Sequence, residues 1–70
     1  MLYYVTLLDC TECTFETNVY TSFKEAEAYF KQEKYTILSQ IAKDSIYTQT
    51  DYFLETYSFV LKLGTNQRSC

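Results

Sequence analysis

The sequence predicts a small α+β domain, an antiparallel sheet with one helix packed on one face, in the order β-β-α-β-β. Three observations predict it. Residues 2–20 hold two β-rich segments separated by a short polar connection. A helix-start signal at Ser22 opens an amphipathic stripe. Residues 53–63 alternate apolar and polar side chains up to Gly64.

The first segment, residues 2–8, is rich in β-branched and aromatic side chains, which fit a pleated, half-buried surface. Residues 14–20 alternate. Phe15, Thr17 and Val19 fall on one side, with Glu16, Asn18 and Tyr20 on the other. The apolar-looking side is expected to face the core and the other side water. Asp9, Cys10, Thr11, Glu12 and Cys13 form a connection of hairpin length.

Ser22-Phe23-Lys24-Glu25 has the spacing of a capping box. The Ser hydroxyl can accept from the Glu25 amide, and the Glu carboxylate can reach back. Phe23, Ala26, Tyr29 and Phe30 then share a helical face, with Glu25, Glu27, Lys31 and Lys34 on the other. Glu27 and Lys31 make a well-oriented i,i+4 pair. A helix is expected over about residues 22–33.

Residues 35–46 fit two periods. Ile37, Leu38, Ile41, Ala42, Ser45 and Ile46 make a helical stripe, yet the segment is also β-branched and closely follows the helix. The preferred reading is a returning strand, because a helix laid on a sheet needs strand surface to cover its stripe. The alternative is a second helix at 36–46. Residues 53–63 read as one strand, with Tyr57, Phe59, Leu61 and Leu63 on its apolar side, paired with 46–50 or with 35–42. Gly64 is expected to end it. Residues 1–64 then form the domain and 65–70 a polar tail.

Seventy residues support one modest core. A 47% apolar and 19% aromatic composition is not that of a disordered chain. The net charge is −3, from 6 basic and 9 acidic residues. Counterion release from duplexes needs clustered Lys and Arg, so direct nucleic-acid binding is disfavoured and a larger protein with a basic surface is the expected partner. No stretch approaches a membrane span, and the first residues read as a strand rather than a signal peptide. Three Cys, an odd number, fit a reducing compartment, so a cytoplasmic location is expected.

Catalysis is not expected. The chain has no His, which excludes the Ser-His-Asp and Cys-His arrangements, and a single Gly, which excludes a phosphate loop. Cys10 and Cys13 form a CxxC, half of a zinc site, but a closed site needs four ligands and the third Cys lies at position 70. Two free thiols in a turn are the simpler reading, and no cofactor is expected.

Binding is the function left. Eight Tyr cannot all be buried in so short a chain, and exposed Tyr gives contact area at low rotamer cost. The expected contact residues are Asp9, Glu12, Glu16, Tyr20, Glu27 and Tyr52. A short acidic domain without His or Pro, with one helix on a small sheet, is similar in kind to phage-encoded inhibitors such as anti-CRISPR proteins. The resemblance covers size and composition rather than motifs. It implies a host-cytoplasmic inhibitor that occupies a functional, nucleic-acid-binding surface of a larger host or defence protein. The other expectation is a structural or regulatory homodimer, joined by sheet faces, by edges or through Cys10 and Cys13.

Overall fold

The computed structural model describes residues 1–65. It holds β1 (Tyr3–Asp9), β2 (Thr14–Tyr20), α1 (Phe23–Leu38), a 3₁₀ turn (Lys43–Ser45), β3 (Ile46–Gln49), β4 (Phe53–Thr56) and β5 (Phe59–Thr65). The five strands form one antiparallel sheet in the order β2-β1-β5-β4-β3, with α1 crossing one face over β1, β5 and β2. This is the expected α+β arrangement of one helix on a small antiparallel sheet.

The core lies between α1 and the middle of the sheet. Ala26, Phe30 and Ile37 of the helix meet Val5, Leu54, Leu61 and Leu63, all buried. Phe30, fully enclosed, is the largest side chain there. Around these, Tyr3, Leu7, Tyr20, Tyr29, Leu38, Ile41, Ile46 and Phe59 pack half-buried.

Two segments differ from expectation. Residues 35–46 are neither one strand nor a second helix: 35–38 extend α1 by more than a turn, Lys43–Ser45 form the 3₁₀ turn and Ile46 opens β3. The stripe explains it. Ile37 stands seven residues after Phe30 and falls on the same buried face, and no Gly or Pro interrupts residues 33–38. The helix then closes on Ser39, whose amide donates to the Tyr35 carbonyl (3.0 Å) and whose hydroxyl donates to the Thr36 carbonyl (2.7 Å). Residues 53–63 are two strands, not one. The buried Thr56 hydroxyl oxygen accepts from the amides of Ser58 (3.2 Å) and Phe59 (2.8 Å) and its hydroxyl donates to the Phe59 carbonyl (3.1 Å), closing a hairpin at Tyr57–Ser58. Tyr57 is therefore an exposed turn residue rather than part of an apolar stripe.

Smaller corrections follow the same logic. Ser22 is the N-cap, but its hydroxyl makes no capping bond among the described residues, so only the position of the capping box survives. The Ser22 carbonyl does accept from the Ala26 amide (3.1 Å). Gly64 does not stop the last strand; it lies inside β5 opposite Tyr4. Thr65, expected to open the polar tail, ends β5 opposite Tyr3, and residues 66–70 of that tail fall outside the described residues.

Candidate functional site: the uncovered sheet face and its β2 edge

Residues directly opposite one another in an antiparallel ladder share a face. The buried Val5 stands opposite Asn18 on one side and Leu63 on the other. Asn18, with Glu16 and Tyr20, therefore lies on the helix side of β2. Phe15, Thr17 and Val19 project from the opposite face, which α1 does not cover. The expected inside and outside of β2 are thus exchanged. Phe15 is 68% exposed and Val19 53%.

Register explains the exchange. Tyr3, Val5 and Leu7 fill the space under the helix, and the hairpin pairs them with Tyr20, Asn18 and Glu16. Beneath the flank of α1 a polar side chain is satisfied. The Asn18 amide donates to the Tyr29 hydroxyl (3.2 Å), and the Tyr20 and Tyr29 rings lie 5.8 Å apart. Burial, with the charges of Glu33 and Glu16 and the nearby Tyr20, raises the Tyr29 phenol above its ordinary value, against the Asn18 hydrogen bond.

The uncovered face is ordered in rows across the strands. Phe15 stands beside Leu8, Leu8 beside Val60, and Val60 beside Glu55. Thr17, Thr6, Lys62 and Phe53 form the next row, and Val19, Tyr4 and Gly64 the third. Among the strand residues so placed, Lys62 and Glu55 carry the only charges, one of each sign. A chain of net charge −3 thus has a neutral, largely apolar face.

The six expected contact residues do not make one patch. Asp9 is structural: its carboxylate accepts from the Thr11 hydroxyl (2.6 Å), the Thr11 amide (3.0 Å) and the Glu12 amide (3.3 Å), and so holds the β1–β2 turn. The Thr11 hydroxyl is the main cause that lowers the Asp9 carboxyl below its ordinary value. Glu12 stands exposed at the hairpin tip and Glu16 is exposed on β2. Glu27 faces Lys31 at 3.9 Å on the helix. Tyr20 is half-buried against Tyr29 and the core. Tyr52, in the β3–β4 turn, packs edge-on against Phe23 (5.8 Å), and Phe23 packs against Tyr3 (5.6 Å), the cross-strand partner of Tyr20. Tyr52, Phe23 and Tyr3 thus form one aromatic row at the start of α1, and Tyr20 with Tyr29 a second aromatic pair.

Cys10 and Cys13 are free and exposed in the hairpin turn, with Cys13 at a positive φ of 57°. Among the described residues no group of three or more His, Cys, Asp or Glu gathers to hold a metal ion. An open hollow of about 450 Å³ lies between the end of α1 and β3, lined by Leu38, Ile41, Lys43, Ile46 and Gln49. It is apolar, with a single ionisable side chain, and has no acid–base pair to drive chemistry. No described helix is long and apolar enough to cross a membrane.

Sequence reasoning missed Phe15 and Val19 as surface residues because it ranked the two sides of β2 by hydrophobicity alone. The signal in β1 is slight: Thr6 is the one polar side chain among residues 3–8, and it leaves Tyr3, Val5 and Leu7 together on the more apolar side.

Comparison with protein-family models, curated proteins and solved structures finds no match to this chain.

Proposed function

We propose that this chain acts by binding another protein, without catalysis of its own, and that the uncovered sheet face is its contact surface. The carrying observation is the exposure of Phe15 and Val19 in line with Leu8, Val60 and Tyr4, on a face that carries one charge of each sign. Large apolar side chains left in water on an ordered sheet mark an interaction surface.

The partner that fits has an apolar centre and basic surroundings. Glu12 stands exposed at the hairpin tip beside the face, and the net charge of −3 attracts a basic protein over a distance. Action by occupancy follows. A protein that covers a basic, nucleic-acid-binding surface inhibits it, which is the role that the likeness to phage-encoded inhibitors implied. Two exposed free thiols support a reducing, cytoplasmic setting.

The test is capture from extract at low salt, followed by calorimetry with the purified partner. Val60→Lys should weaken binding at least tenfold. Glu12→Lys should weaken it a few-fold and flatten its salt dependence. Equal binding by wild type and Val60→Lys would show that the uncovered face is not the contact surface.

A further inference from the structure

We propose that the outer edge of β2 pairs with β2 of a second copy of this chain, antiparallel about a two-fold axis at Thr17, to form a continuous ten-stranded sheet. The inference goes beyond the partner-binding reading. It concerns the edge of the sheet rather than its face.

The two edges of the sheet are built differently. β3 is four residues long and its register with β4 shifts between Ile46 and Thr48, and short, bulged edges resist pairing. β2 is seven residues long, and its ladder with β1 runs unbroken from Tyr3–Tyr20 to Asp9–Thr14. It contains no Pro, no Lys and no bulge; its one charged side chain, Glu16, lies on the helix side, where the pairing sets it opposite Asn18 rather than another carboxylate.

The strand is also complementary to itself. With the axis at Thr17, Phe15 stands opposite Val19 of the second copy, and Val19 opposite Phe15. Aromatic and β-branched side chains make favourable cross-strand pairs. Glu16 stands opposite Asn18, whose amide has a second hydrogen beyond the one given to Tyr29. Thr17 meets Thr17, and no like charges stand directly opposite. An axis at Glu16 would instead oppose two carboxylates. The same pairing covers part of the exposed Phe15 and Val19 side chains and extends the two uncovered faces into one.

Each copy carries a net charge of −3, so added salt should strengthen this association, whereas it should weaken capture of a basic partner.

Sedimentation equilibrium of the full chain over a concentration series tests the pairing. The expected result is a reversible monomer–dimer equilibrium from 8.3 kDa to twice that mass, tighter in high salt. Thr17→Lys opposes two ammonium groups at the axis and should return the chain to monomer with its circular dichroism unchanged. Val60→Lys, which tests the face, should leave the dimer intact. A wild-type chain that stays monomeric up to about 1 mM would overturn the proposal, since such an affinity is worth only about 4 kcal/mol. So would a dimer that survives Thr17→Lys, or one that Val60→Lys abolishes. Loss of the dimer alone leaves the partner-binding surface standing, and loss of capture by Val60→Lys alone leaves the edge pairing standing.

Discussion

Thr56 shows how much one polar side chain can decide in a chain without Pro and with a single Gly. Its hydroxyl group satisfies two amides and one carbonyl and turns what reads as one long strand into a hairpin. Thr56→Val keeps the shape but removes every one of these bonds, leaving a half-buried turn short of partners. We expect a loss of about 1–3 kcal/mol in urea unfolding. Asp9 holds the other hairpin through an exposed carboxylate. Its pKa is lowered in the folded chain, so the stability it contributes is present above the ordinary Asp value of 3.8 and is lost as pH falls through the lowered value. In Asp9→Asn the acid side of the stability profile should be shallower. In Thr11→Ala the Asp9 carboxyl should move back toward its ordinary value, which carbon-detected NMR titration reads directly.

The elements differ in how legible they were. The start of α1 could be read because Ser22, Phe23, Ala26 and Phe30 combine a cap position with a stripe. Its end could not, because Tyr35, Thr36 and Ile37 are β-formers by type, and their helical state depends on Ile37 finding the core. Tyr35 tests this. It is 77% exposed on the last turns of α1. In a helix Tyr35→Ala should stabilise by up to about 0.5 kcal/mol; in a strand the same change should destabilise by a similar amount. Thermal unfolding gives the sign. The β1–β2 hairpin could be read from composition and connection length, but its facing could not be read from β2 alone. A period of two fixes which residues travel together, not which set goes inside. Of the candidate site, the acidic hairpin tip was visible in the sequence. One helix on a small sheet implies an uncovered face, but the sequence does not say which residues line it.

At the scale of the molecule, one helix covers one side of a five-stranded sheet, and the other side carries rows of apolar side chains that the helix does not cover. Phe15 tests whether that side is uncovered. Phe15→Lys should be compared with Phe30→Ala by urea unfolding in the monomeric Thr17→Lys background. Phe30→Ala removes a fully enclosed ring and should cost about 3–5 kcal/mol. Phe15→Lys should change stability by less than about 1 kcal/mol, as for an exposed strand position. A loss comparable to that of Phe30→Ala would place Phe15 in the core and contradict the uncovered face.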